Sequence, residues 1–100
     1  MNVQDYFAVI VNQIHSSAFA TVDGYGRPVT CAIDMMDYDE NGLYFLTAKG
    51  KNFYDRLKAN ENIAFTAMKG DNTLSCVAVS VQGKAREIGP DKLPELFRRN

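Results

Sequence analysis

Two lysines, Lys49 and Lys51, flank Gly50 in the run Thr47-Ala48-Lys49-Gly50-Lys51-Asn52. The run falls where a predicted strand hands over to a predicted helix. At such a junction unpaired backbone N–H groups, the positive end of the helix dipole and cationic side chains converge on one anion. A phosphate is the group this chemistry suits, and a phosphate site beside a small sheet points to a phosphorylated cofactor. Taken alone, the same residues also describe a solvated loop at a helix start.

Other chemistry-bearing residues are sparse. His15 is the single histidine, at the end of a predicted helix, where a partly cationic imidazole suits the C-terminal dipole. One histidine and two separated cysteines, Cys31 and Cys76, give no metal-ligand spacing. Asp34, Asp37, Asp39 and Glu40 lack the EF-hand pattern and read as a solvated hairpin. Arg86, Lys92, Arg98 and Arg99 read as surface charge. No residue stands out as a committed general acid or base. A bound cofactor would then carry the reaction, with the protein positioning it.

The chain has 100 residues and reads as one domain, residues 1–100. An apolar share of 46% is that of a globular protein. The net charge of −1 provides no basic footprint for duplex nucleic acid. No apolar run is long enough to span a bilayer. The amphipathic start carries Asp5 and does not resemble a signal peptide. Buried free thiols and a cytoplasmic location follow as expectations.

The elements that must position these residues can be read from periodicity. Val3, Tyr6, Phe7, Ile10 and Ile14 recur at helical spacing and predict a helix over 2–15. Strands are predicted over 18–22, 28–36, 43–47, 63–68 and 74–88, with a bend or bulge at Gly83. Asn41-Gly42 signals a hairpin. Helices are predicted over 51–59 and 90–99, Pro94 lying in or near the first turn of the latter. The aromatics Tyr6, Phe7, Phe53, Tyr54 and Phe65 are assigned to the core, and Tyr44 to a possible subunit interface. Short strands joined by hairpins predict a mainly β fold: an antiparallel sheet curled into a small barrel with flanking helices.

In the second strand Val29, Cys31, Ile33 and Met35 share one face, and Thr30, Ala32, Asp34 and Met36 share the other. The second face begins with small residues, so a flat ring can approach the backbone there. Cys31 points to the core face and offers the ring only its backbone; without a histidine partner it is no nucleophile. Ordinary strand packing explains Thr30, Cys31 and Ala32 equally well. Leu43 to Ala48 is largely apolar on both faces, which predicts a homodimer that covers one of them.

The ordered combination of four segments carries a family resemblance. They are Ala20-Thr21-Val22-Asp23-Gly24-Tyr25-Gly26-Arg27-Pro28, Asp39-Glu40-Asn41-Gly42-Leu43-Tyr44-Phe45-Leu46-Thr47, Lys49-Gly50-Lys51-Asn52, and Leu57-Lys58-Ala59-Asn60-Glu61-Asn62-Ile63-Ala64-Phe65. Together they resemble the FMN-binding split β-barrel superfamily, the pyridoxamine 5′-phosphate oxidase-like proteins. The resemblance implies an antiparallel, Greek-key split barrel and a homodimer with FMN at the subunit interface. It places the flavin ring along Val29, Thr30, Cys31 and Ala32. It places the phosphate on Lys49 and Lys51, with a hydroxyl bond from Thr47 and an amide from Asn52. Many relatives have two adjacent cations after the loop glycine; here the second is Asn52, so weaker phosphate binding is expected. The implied activity is a flavin-dependent oxidoreductase acting on a small redox substrate.

The chain ends at Asn100, without the C-terminal segment that helps such oxidases bind substrate. Pyridoxal-forming activity is therefore not expected, and a minimal or truncated form lacking a further strand is. Three alternatives remain open. The same fold can hold haem or a deazaflavin, although His15 offers little for haem ligation. The domain can carry flavin without turnover. A five-stranded oligonucleotide-binding barrel fits the length, but balanced charge and the lack of a basic-aromatic face argue against nucleic acid.

Overall fold

The computed structural model describes residues 1–72 and 74–99, with the Arg99 side chain excepted. Six strands and three α-helices occur among the described residues. Helix α1 (Val3–Ala8) opens on a reciprocal cap. Asn2 Oδ1 accepts the Asp5 N–H at 2.9 Å, and the Asp5 carboxylate accepts the Asn2 N–H at 3.0 Å. The helix then widens into a π-helical segment, Val9–Ile14, which ends at His15 with the His15 N–H bonded to the Ile10 carbonyl. The hydrophobic periodicity predicts one regular helix over 2–15. Breaking the 3.6-residue period at Val9 shifts the buried face. Ile10 and Val11 are buried, while Val3 and Tyr6, both assigned inward, are exposed.

Strands β1 (Ser16–Val22), β2 (Pro28–Asp34), β5 (Asn62–Lys69) and β6 (Val77–Lys84) form one antiparallel sheet in the order β2-β1-β5-β6. Strands β3 (Asp37–Asp39) and β4 (Gly42–Tyr44) form a separate hairpin over its inner face. The long connection through this hairpin and helix α2 (Asn52–Ala59) returns β5 beside β1, a Greek-key path. The two sheets are not joined by strand pairing, so β2 and β6 remain as edges among the described residues.

Several boundaries differ from the sequence reading. β2 stops at Asp34 because the next two residues bond elsewhere: the Met35 N–H goes to the His15 carbonyl and the Met36 N–H to that of Tyr44. β4 stops at Tyr44, and Phe45 turns its ring into the core. β6 spans 77–84 rather than 74–88, which leaves Cys76 just outside it. Its register against β5 runs unbroken through the Ile63–Gly83 pair, so Gly83 makes no bulge. The expected hairpin forms where Asn41-Gly42 placed it: Asp39 pairs with Gly42, and the Asp39 carboxylate accepts the Asn41 N–H at 2.8 Å.

The core is aromatic. The Phe19 ring, fully buried on β1, stacks on Phe65 at 5.6 Å and meets Phe53 edge-on at 5.5 Å and Phe45 at 5.0 Å. These contacts fasten β5, α2 and the segment after β4 to one side chain. Met35 is buried beside them, and Val29, Cys31 and Ile33 alternate inward on β2 as expected. Helix α3 (Leu93–Arg99), with Pro94 in its first turn, buries Leu96.

Candidate functional site

The strand-to-helix junction lies where the sequence placed it. The Lys51 N–H donates to the Ala48 carbonyl at 3.3 Å, and Gly50 sits at φ +90°, the positive value a type II turn requires at its third position. Lys51 caps α2 without a side-chain hydrogen bond, and the first helical bond runs from the Asp55 N–H to the Lys51 carbonyl. The N–H groups of Asn52, Phe53 and Tyr54 therefore precede the helical ladder at the positive end of the helix. Thr47, Lys49, Lys51 and Asn52 are all exposed.

Thr47 and Lys49 line a cleft of about 1240 Å³ between the hairpin, α2, the inner sheet face and the chain after β6. Phe19, Phe45 and Phe65 supply apolar wall, and Arg86 lies at the rim. Lys51 and Asn52 stand outside this lining, as do Val29, Thr30, Cys31 and Ala32. On β2 the Thr30 and Ala32 side chains face outward, while Val29 and Cys31 are half-buried against the core side. The structure thus groups Thr47 with Lys49 on the cleft and Thr30 with Ala32 on the opposite sheet face.

That outer face is flatter than β2 alone suggested. Ala18 pairs with Ala32 and Thr66, and Ala20 pairs with Thr30 and Ala64, so small side chains adjoin across three strands. The Thr66 and Ser80 hydroxyls continue the face to β6 with a 2.8 Å bond. A second, shallower recess of about 540 Å³ opens at one end of it, lined by Ala20, Pro28 and Ala64 among others.

Three polar constellations join segments that are distant in sequence. The first holds the hairpin to the chain before α3. The Tyr44 hydroxyl donates to Asp39 at 2.8 and 3.0 Å, and the Lys92 ammonium lies 3.4 Å from Asp39 and 4.3 Å above the Tyr44 ring. Lys92, read as surface charge, is only 19% exposed and also reaches Glu95. Asp39 is correspondingly not a freely solvated hairpin carboxylate. Tyr44 is drawn into this network. Burial raises its pKa first, and the bond to Asp39 adds to the rise.

The second constellation lies on α2. The Tyr54 hydroxyl donates to both Glu87 oxygens at 3.2 and 3.1 Å, and Lys58 donates to Glu87 at 3.2 Å. These contacts, Lys58 first, hold the Glu87 pKa below its ordinary value, and the charge of Lys49 contributes. Tyr54 and Lys58 are one helical turn apart, so their shared face was legible. Glu87, distant in sequence, had no local signal. The third is the bond from Arg56 on α2 to the buried Thr21 on β1.

Among the described residues no group of three or more histidine, cysteine or acidic side chains is placed to hold a metal ion. His15 lies outside the cleft lining, at φ +74°, with its imidazole 3.9 Å from Asp34. No helix among the described residues is long and apolar enough to cross a membrane.

An antiparallel split-barrel fold with flanking helices is the class these elements define. The pyridoxamine 5′-phosphate oxidase family matches residues 4–100, and the chain belongs to that family. Among solved structures, the chain is similar to a protein of unknown function from Agrobacterium tumefaciens, with 24% identity and a TM-score of 0.73 over 99% of this chain. It is also similar to a conserved hypothetical protein from Mycobacterium tuberculosis, with 19% identity and a TM-score of 0.79 over 99% of this chain. The chain spans 45% and 64% of the lengths of those two proteins. HutZ, a haem storage protein from Vibrio cholerae, matches at 13% identity with a TM-score of 0.73, over 98% of this chain and 72% of its own. No curated protein matches the chain in sequence.

Proposed function

We propose that this domain is a cytoplasmic, homodimeric FMN-binding protein and a small flavin-dependent oxidoreductase of the pyridoxamine 5′-phosphate oxidase-like type. The observation that carries the reading is the loop Thr47–Asn52. Two lysines flank a positive-φ glycine immediately before an α-helix start that has no side-chain cap, and the loop's first half opens on a large cleft. That arrangement suits a phosphate dianion. Thr47 donates its hydroxyl, Lys49 and Lys51 supply charge, and the first-turn N–H groups complete the shell. The flat face that includes Thr30 and Ala32 suits the ring. A partner subunit would bring ring and phosphate sites together from two chains, since one chain separates them. FMN supplies the hydride and electron transfer chemistry; these residues bind and orient it. The Cys31 thiol is free, in keeping with a reducing compartment.

The test is the absorption spectrum of the purified protein, followed by titration with FMN and with riboflavin. A flavin spectrum, FMN preferred over riboflavin, and a dimer by light scattering are expected. Reduction by NADH or NADPH under steady-state conditions separates an enzyme from a flavin carrier. Failure to take up FMN would refute the reading. A second reading, haem as the ligand, is favoured by the likeness to HutZ. A Soret band would establish it, though no histidine lies among the described residues lining the cleft.

A further inference from the structure

The chain after β6, residues 85–90, has no regular structure and forms one wall of the cleft. It is tied down at two points. The Ala85 N–H donates to the Glu61 carbonyl at 2.9 Å, and the Glu87 carboxylate sits on Tyr54 and Lys58 of α2. Tyr54 belongs to the first turn of α2, whose N–H groups face the candidate phosphate. Lys49, a cation of the same loop, lines the same cleft as Glu87, and its charge adds a little to the lowering of the Glu87 pKa. One carboxylate thus draws on the positive field that the phosphate reading assigns to a ligand.

We propose that Glu87 is a built-in competitor for the Thr47–Asn52 loop, and that a phosphate binding there releases the strap 85–90 from α2. The inference rests on the phosphate reading above. Its physical basis is like-charge repulsion within a shared cluster. A phosphate dianion beside Lys49 takes up the charge that favours Glu87, and two anions lining one cleft repel. Because Glu87 is partly exposed, its contacts are each weak, and a ligand can displace them. The strap would then open the cleft only to ligands that carry the phosphate, which makes Glu87 a determinant of specificity as well as affinity.

The experiment titrates the full chain and Glu87→Gln with FMN and with riboflavin at fixed low salt, following flavin fluorescence. Hydrogen exchange over residues 85–90 is recorded with and without FMN. Glu87→Gln is expected to tighten FMN about three- to fivefold, the scale of an exposed ion pair, and to leave riboflavin unchanged. Exchange over the strap is expected to quicken when FMN binds the wild-type protein. Equal or weaker FMN binding by the variant would overturn the proposal. So would an equal gain for riboflavin, which would indicate a steric effect, or strap exchange indifferent to FMN. If neither protein binds FMN, the phosphate reading itself falls and takes this inference with it.

Discussion

The Nε–H of Arg56 points at the Thr21 hydroxyl oxygen, 2.6 Å away, and so joins the middle of α2 to the strand at the centre of the core. Thr21 is 1% exposed, and its own hydroxyl lies 3.4 Å from the Val29 carbonyl. The guanidinium also lies 5.9 Å from the Phe53 ring centre. Helix α2 is therefore oriented by a polar peg as well as by Phe53. Thr21→Val removes the acceptor at nearly constant volume and strands a half-buried guanidinium. It is expected to cost about 1–2 kcal/mol. For a domain of this size, that corresponds to a fall in melting temperature of about 4–8 °C per kcal/mol. A thermal melt unchanged from wild type would show that the peg contributes nothing.

Lys49→Ala with Lys51→Ala removes both loop cations while leaving α2 and Gly50 in place. Loss of two charge-assisted contacts is expected to weaken FMN by at least about tenfold. Far-UV circular dichroism is expected to stay the same. Riboflavin, which has no phosphate, serves as the control. An FMN affinity equal to wild type would remove the loop from the site.

Gly70 has φ +144°, and a Cβ there would lie 2.7 Å from the Cys76 Cα. This contact closes the turn between β5 and β6. Gly70→Ala meets both an unfavourable backbone and a backbone clash, and the strain alone is worth about 1–3 kcal/mol. A lowered urea midpoint at unchanged slope is the expected result. By contrast, a Cβ on Gly24 meets nothing within 4 Å, and Gly24→Ala is expected to be close to neutral in the same assay.

The Asp39–Tyr44–Lys92 network gives stability a pH profile with two limbs. Burial opposes the Asp39 charge, but the Asn41 N–H, the Tyr44 hydroxyl and Lys92 outweigh it and hold its pKa below the ordinary 3.8. The stability this confers is present above 3.8 and is lost as pH falls through the depressed folded value. Tyr44 lies above its ordinary 10.0, through burial and then through Asp39. Its contribution is present below 10.0 and is lost as pH rises through the folded value. Melting temperatures recorded across pH are expected to show a shallower acid limb for Asp39→Asn and a shallower alkaline limb for Tyr44→Phe. Limbs identical to wild type would exclude the network from the pH response.

Much of this architecture follows from local sequence pattern. The alternation of Val29, Cys31 and Ile33 fixed which face of β2 is wet, because a strand has only two faces. Asn41-Gly42 located the hairpin through turn chemistry, and Lys49-Gly50-Lys51 located the start of α2. What escaped depends on contacts between distant segments. Lys92 looked like any exposed lysine, since neither its carboxylate partner nor its aromatic neighbour is nearby in sequence. Glu87 was invisible for the same reason. Tyr6 and Val3 were misassigned because the helical period changes at Val9, and a hydrophobic repeat cannot register a change of pitch it does not anticipate. Gly83 looked like a bend or bulge but pairs regularly with Ile63, because a strand tolerates glycine without leaving its register.

The π-helical segment has a consequence for single-residue deletions. Its N–H groups reach back five residues instead of four, so it stores one residue beyond what an α-helix with the same end points would need. Deleting one residue of this segment leaves a regular α-helix between the same neighbours, whereas the same loss within β1 would turn every later side chain of that strand to the wrong side. Loss of a single residue is therefore expected to be absorbed in this coil and not in the strand that follows it.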